Sequence, residues 1–119
     1  MPKIIVIEDD GTMRSLLKTL LELEGYEVIV DAGGDLHEII ELIRQERPDA
    51  LLMDVFLRSA NGLEVVSSLR QFQDFNQLPV LITSGMDLGD EVLHAGADGF
   101  VQKPFMPDEL TAWLKLKIG

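Results

Sequence analysis

The chain has 119 residues, of which 46% are hydrophobic and 26% charged, and its formal net charge is −11. This balance is typical of a globular protein, and the length suits one domain with a substantial core. The acidity argues against direct binding of nucleic acid, because such binding depends on Lys and Arg that neutralise phosphates. The absence of cysteine excludes disulfides and zinc–thiolate sites. It also makes a reducing, cytoplasmic setting the simplest expectation. No apolar run approaches the roughly 20 residues that span a bilayer, so we expect no membrane contact.

Five short apolar segments are predicted to form strands. They are rich in aliphatic and β-branched residues, and turn residues or segments of helical spacing separate them. In chain order the predicted strands are Lys3–Ile7, Tyr26–Val30, Ala50–Asp54, Pro79–Thr83 and Gly99–Gln102. The third consists of four apolar residues that lead to Asp54, which is typical of a strand buried on both faces of a parallel sheet.

Apolar residues at helical spacing predict a helix after each strand. The predicted helices cover Met13–Leu21, Leu36–Ile43, Leu63–Phe72, Leu88–His94 and Pro107–Ile118. Asp10 is expected to cap the first helix, Gly25 to end it, and Pro48 to end the second. Alternating strands and helices with short loops imply right-handed crossovers. The predicted fold is therefore α/β, a (βα)5 doubly wound parallel sheet with helices on both faces.

Polar groups stand at the carboxyl ends of four predicted strands. Glu8 and Asp9 follow the first, Asp54 ends the third, Ser84 ends the fourth and Lys103 follows the fifth. Parallel strands bring these ends to one edge of the sheet, where α/β proteins bind ligands. Three neighbouring carboxylates repel one another, and Mg²⁺, which prefers oxygen ligands, relieves that repulsion. A hydroxyl and an ammonium on the same edge suit a phosphoryl group.

Each of these residues also has a simpler explanation. Asp54 alone fits a cap of the next turn, Ser84 a turn residue and Lys103 an exposed lysine. Their joint placement at strand ends is what favours a functional site. His37 and His94 are interpreted as surface residues.

The aromatic residues are divided between the core and the candidate site. Trp113 is interpreted as a core residue, as are the phenylalanines other than Phe56 and Phe100. The two exceptions stand close to the polar strand ends in the sequence.

From Lys3 to about Ile118 the chain resembles the receiver domain of bacterial two-component response regulators. The motifs that carry the resemblance are Val6–Asp10, Leu52–Asp54, Asn61–Gly62, Pro79–Ser84 and Gly96–Phe105. The resemblance implies a receiver domain over residues 1–119 and a flavodoxin-like sheet with strand order 2-1-3-4-5. It also implies a histidine kinase or phosphotransfer protein as the source of the phosphoryl group.

The resemblance assigns roles to the acidic residues. Asp54 would be the phosphoacceptor, and the Mg²⁺ ligands would be Asp9, Asp54 and the main-chain carbonyl of Phe56. Glu8 would complete the metal site through a water molecule. A protein of this kind assists its own phosphorylation and dephosphorylation but is not an enzyme.

The resemblance also implies how a signal leaves the site. Lys103 would neutralise the transferred group, Ser84 would be the hydroxyl switch residue and Phe100 the aromatic switch residue. The face made by the fourth helix, fifth strand and fifth helix would then bind a partner or a second copy.

Three departures from the family pattern affect these expectations. Arg58 replaces a proline, so we expect a less constrained loop, and the segment Ser84–Lys103 is about one helical turn shorter than usual. Phe100 lacks the tyrosine hydroxyl often found at the switch position. The resemblance also implies that Phe56 and Met86 flank the path of an attacking water molecule. Both are apolar, which predicts slow self-dephosphorylation.

Two alternatives belong to other functional classes. A small Mg²⁺-dependent phosphatase with an aspartyl nucleophile would need a second acid shortly after Asp54 and a cap over the substrate. A pseudo-receiver that only binds partners would not need its reactive positions filled. No output domain follows Gly119, so we expect either a stand-alone receiver or a domain excised from a longer protein.

Overall fold

The computed structural model describes residues 1–119 and contains one five-stranded sheet. Every pair of neighbouring strands is parallel, and their order is β2-β1-β3-β4-β5. This arrangement confirms the predicted (βα)5 fold and strand order. The strands are β1 (Lys3–Ile7), β2 (Glu27–Asp31), β3 (Ala50–Asp54), β4 (Val80–Ser84) and β5 (Gly99–Gln102).

Five helices cover the two faces of the sheet. The first and last pack against one face, and the other three pack against the opposite face. They are α1 (Gly11–Leu23), α2 (Leu36–Glu46), α3 (Gly62–Leu69), α4 (Gly89–Ala95) and α5 (Pro107–Ile118). None of them combines the length and the apolar character needed to pass through a bilayer.

Alternate residues of each central strand supply the two cores. In β1, Ile4 and Val6 pack with α1 and α5, whereas Ile5 and Ile7 pack with the other three helices. This follows from the two-residue period of side chains along a strand. All five residues of β3 are buried, as predicted for the strand that ends in Asp54.

Polar side chains cap the helices that follow β1 and β3. Asp10 Oδ1 accepts hydrogen bonds from the amides of Thr12 and Met13, at 2.9 and 3.1 Å, which confirms the predicted cap. Asn61 Oδ1 accepts the amide of Leu63 at 2.8 Å. These caps end the loops at the carboxyl edge of the sheet within a few residues of the strands.

The prediction that the third helix extends to Phe72 was wrong. α3 ends at Leu69, and the amide of Phe72 instead donates to the carbonyl of Leu69 at 3.0 Å, closing a tighter turn. The chain turns here because the Phe72 ring packs on the core and meets the Phe75 ring edge to face, with centroids 6.4 Å apart. A short 3₁₀ turn over Gln73–Phe75 then leads towards β4.

Candidate functional site

Three carboxylates meet at the carboxyl edge of the sheet. Glu8 and Asp9 follow β1 and Asp54 ends β3, and one oxygen of each lies within 4.8 Å of the others. The register that pairs Ile7 with Met53 brings these two strand ends side by side. Only 3% of Glu8 and 8% of Asp54 are exposed. Water therefore screens their mutual repulsion poorly.

One ammonium group lies between two of these carboxylates. Lys103 Nζ donates to Glu8 Oε2 at 3.0 Å and to Asp54 Oδ2 at 2.9 Å. The main chain of Lys103 is held in place by its amide, which donates to the carbonyl of Ser84 at 2.8 Å. Three carboxylates and one ammonium leave a surplus of two negative charges when all four groups are ionised.

The surroundings shift the pKa values of Glu8 and Lys103. Burial raises the pKa of Glu8 and the charge of Asp54 adds to this, although Lys103 opposes both. Burial alone would lower the pKa of Lys103, but its hydrogen bonds to Asp54 and Glu8 outweigh burial, so its pKa lies above the ordinary value. Lys103 therefore remains charged at neutral pH. The repulsion between carboxylates instead contributes to the raised pKa of Glu8.

The loop after β3 orients the carboxylate of Asp54. The amide of Phe56 donates to Asp54 Oδ1 at 3.2 Å, while Oδ2 faces Lys103. Gly62 lies directly behind this loop, and a Cβ atom at this position would be 2.6 Å from the main-chain oxygen of Asp54. Only glycine fits so close to the strand end, which explains why Asn61-Gly62 follows the loop.

The donor set fits a hard divalent cation. Carboxylate oxygens converge from Glu8, Asp9 and Asp54, and their surplus negative charge is what such a cation compensates. Asp10 is not part of this group because its carboxylate caps α1. His37 and His94 are exposed on α2 and α4 and are absent from the cluster, as expected for surface residues.

The other predicted site residues surround this edge. Ser84 is fully buried, and its Oγ accepts the amide of Met86 at 3.0 Å and makes no hydrogen bond to Asp54. Phe100 is half-buried and packs on the larger core beside α4. Phe56 and Met86 are 50% and 57% exposed.

The remaining aromatic residues largely agree with the sequence interpretation. Phe75 is buried in the larger core. Phe72, Phe105 and Trp113 are half-buried residues at the margins of the two cores.

The contact of Arg14 with the main chain at the end of β1 was not predicted from the sequence. Arg14 Nη1 donates to the main-chain carbonyl of Glu8 at 2.7 Å and so ties the first turn of α1 to the end of β1. The only sequence signal is a cation in a first helical turn, which equally fits a surface residue.

Comparison with known proteins decides the family. The family model of the response regulator receiver domain matches residues 4–115. The chain belongs to this family. This receiver domain is 38% identical over 116 residues to the response regulator MprA of Mycobacterium ulcerans, covering 95% of this chain and 48% of MprA. The chain thus spans about half the length of that relative.

Solved structures agree with this assignment. The chemotaxis response regulator CheY4 of Vibrio cholerae superposes with a TM-score of 0.88 at 26% identity, covering 99% of both chains. The receiver domain of the sensor histidine kinase PA1611 from Pseudomonas aeruginosa PAO1 superposes with a TM-score of 0.87 at 25% identity, covering 99% of this chain and 98% of that one. The latter structure has a magnesium ion coordinated in its active site cleft.

The family assignment establishes this chain as the receiver domain of a two-component response regulator. The phosphatase and pseudo-receiver alternatives remain untested by this match. The cytoplasmic location and the single-domain extent remain predictions.

Proposed function

We propose that Asp54 accepts a phosphoryl group from the phosphohistidine of a histidine kinase or phosphotransfer protein, in a reaction that depends on Mg²⁺. The observation that carries this proposal is the acidic cluster itself, in which Lys103 bonds directly to Asp54 Oδ2. Asp9, Asp54 and the carbonyl of Phe56 would hold the metal, with Glu8 bound to it through water. When bound, Mg²⁺ would reduce the negative charge that repels the incoming phosphoryl group.

In the proposed step an oxygen of Asp54 forms a bond to phosphorus while the bond from phosphorus to the donor imidazole breaks. The donor reacts with its second ring nitrogen protonated, so the nitrogen that keeps the electron pair leaves as part of a neutral imidazole, and the other product is an aspartyl phosphate. Lys103 supplies a fixed positive charge beside the transferred oxygens, and the Phe56 amide holds the nucleophile in one orientation. Positioning and charge cancellation of this kind dominate phosphoryl transfer.

An apolar groove next to Lys103 suits the protein that delivers the phosphoryl group. The groove encloses about 320 Å³ between α1 and the connection from β5 to α5. Leu16, on its rim, is 56% exposed, and Met106, beside the same connection, is 65% exposed. Because Lys103 lines both the groove and the acidic cluster, a helix laid along the groove would approach Asp54. The lining residues are Met13, Leu16, Leu17, Leu20, Lys103, Pro104, Phe105 and Pro107.

The output surface is proposed to be the face of α4, β5 and α5. After phosphorylation, the Ser84 hydroxyl, whose Oγ now accepts the Met86 amide, would donate a hydrogen bond to the new phosphoryl oxygens, which draws the β4–α4 loop inwards. Phe100 would respond by repacking against α4. Leu93, which is 56% exposed on α4, would then contact a downstream partner or a second copy.

Phosphorylation with a small-molecule donor tests the function without knowledge of the kinase. Acetyl phosphate with Mg²⁺ should add one phosphoryl group to the intact protein, and chelation of the metal should abolish the addition. Asp54→Ala should remain unmodified, whereas the control Asp87→Ala, at an exposed position, should react like the wild type. Equal modification of Asp54→Ala would refute the assignment of the acceptor.

The phosphorylated state is proposed to be long-lived. Phe56 and Met86 are large and apolar, so neither can orient an attacking water molecule by hydrogen bonding. Both project from the surface and would cover the phosphoryl group from solvent. The double variant Phe56→Asn with Met86→Glu should lose radiolabelled phosphate faster than the wild type, because its polar side chains can position the attacking water molecule. A double variant that decays no faster would show that these side chains do not control access of water.

A further inference from the structure

The loop after β3 keeps a defined shape without the proline usual in the family. This acceptor loop, residues 55–61, is closed by an antiparallel bridge between Phe56 and Asn61. The amide of Leu57 donates to the carbonyl of Ala60 at 3.3 Å. Arg58, at the proline position, is exposed, and its side chain makes no hydrogen bond or ion pair. Something other than residue 58 must therefore hold the loop against the sheet.

Leu57 is the side chain that anchors the loop. It packs against the larger core, whereas its neighbours Phe56 and Arg58 are exposed. Both of its terminal methyl groups lie over the bare main chain of Gly33, 3.7 Å from the place where a Cβ atom would stand. Ile7 Cγ2 lies 3.6 Å from the same position. Gly33 and Ile7 therefore form the surface on which Leu57 packs, which we call its seat.

The seat itself is a fixed turn at the end of β2. Gly33 has a φ of +93°, a conformation that residues other than glycine rarely adopt. Its amide donates to Asp31 Oδ2 at 2.8 Å, which closes the turn. The β2–α2 connection therefore presents a defined surface to Leu57.

Leu57 adjoins the peptide groups that matter for the proposed chemistry. The carbonyl of Phe56 belongs to the same peptide unit as the amide of Leu57, and the amide of Phe56 holds Asp54 Oδ1 at 3.2 Å. The Phe56 ring is 50% exposed and cannot fix these groups itself. We infer that Leu57, seated on Gly33, is a positioning residue that holds the Phe56 amide against Asp54 and the Phe56 carbonyl towards the divalent cation. The part that concerns the cation rests on the proposed function.

The test compares Leu57→Ala with Leu42→Ala. Leu42 is a half-buried leucine of α2 that packs on the same core, so its truncation controls for general loss of stability. Calorimetric titration with Mg²⁺ should show binding about tenfold weaker in Leu57→Ala, the size expected for loss of support behind a metal ligand. Binding by Leu42→Ala should stay within about twofold of the wild type, and Leu57→Met, of similar volume, should restore wild-type affinity.

Amide hydrogen exchange gives a readout that needs no metal. The Phe56 amide should exchange at least about tenfold faster in Leu57→Ala than in the wild type, and Leu42→Ala should leave it unchanged. Should Leu57→Ala fail to fold, Leu57→Val removes one methylene group and should show a smaller shift in both measurements. Equal behaviour of the Leu57 and Leu42 variants overturns the inference. If the wild type binds no Mg²⁺, the proposed function fails, and exchange of the Phe56 amide still decides the role of Leu57.

Discussion

Two ionic networks of this receiver domain differ in their charge balance. Around Lys103 one ammonium faces the carboxylates of Glu8 and Asp54, with Asp9 close by. Around Arg70 one guanidinium faces one carboxylate, and Arg70 Nη2 lies 2.9 Å from Asp98 Oδ2. Both networks join elements distant in the sequence, but only the first carries a surplus of charge.

The Arg70 network is satisfied by its own partners. Arg70 Nε donates to the carbonyl of Gly96 at 2.9 Å and Nη1 to the carbonyl of Phe75 at 2.7 Å. Asp98 Oδ2 also accepts the amide of Val80 at 2.8 Å. These bonds tie the ends of α3 and α4 to the start of β4. A balanced network of this kind stabilises the fold. Around Lys103 the excess negative charge destabilises the fold until a cation binds or one of the carboxylates loses its charge.

Loss of the balanced network should have the largest effect on stability. Arg70→Met should lower the free energy of unfolding by about 2 kcal/mol, because Asp98 and two carbonyls lose their donor; the value allows for partial exposure of Asp98. Urea unfolding measures it. The increase in melting temperature caused by Mg²⁺ should be unchanged in this variant, and a lost response would show that the two networks are coupled.

Removal of one carboxylate from the cluster around Lys103 should raise the stability of the fold. Asp54→Asn removes one of the three carboxylates, and the amide oxygen can still accept from Lys103. In metal-free buffer we expect the variant to be more stable by about 1 kcal/mol, which is a few degrees in melting temperature. Thermal unfolding in the presence of a chelator measures this. A lower melting temperature than the wild type would mean that the acids do not repel one another appreciably.

The exposed ion pair between Lys115 and Glu24 should have the smallest effect on stability, because solvent screens it. Lys115 Nζ lies 2.8 Å from Glu24 Oε2, and this hydrogen bond raises the pKa of Lys115 above 10.5. A raised lysine pKa stabilises the fold below the unfolded value, and that stability is lost as pH rises through the folded pKa. Glu24→Gln should therefore lose slightly more stability below pH 10.5 than above it. Urea midpoints on either side of that value check the difference; equal losses would contradict the assignment.

The sequence predicted the features that depend on short-range pattern. The five apolar strands could be recognised from their composition, and the placement of Asp9, Asp54 and Lys103 at strand ends followed from parallel topology. The cap formed by Asp10 was also predictable, because a capping acid precedes its helix directly.

The features that depend on distant partners could not be predicted. Arg70 lies 26 residues from Gly96 and 28 from Asp98, and its sequence neighbours resemble those of a surface arginine. The seat of Leu57 on Gly33 depends on the juxtaposition of two loops that only the folded sheet creates. The true end of α3 at Leu69 likewise follows from how Phe72 packs.

Thermal unfolding with and without Mg²⁺ tests the central claim most directly, namely that the surplus around Lys103 is a site for a divalent cation. A ligand that binds only the folded state stabilises it by mass action. Millimolar Mg²⁺ should raise the melting temperature of the wild type by a few degrees relative to chelator. Asp9→Asn should lose most of this response and Asp98→Asn should keep it. The same melting temperature in Mg²⁺ and in chelator would contradict the claim, and an undiminished response in Asp9→Asn would show that Asp9 is not a ligand.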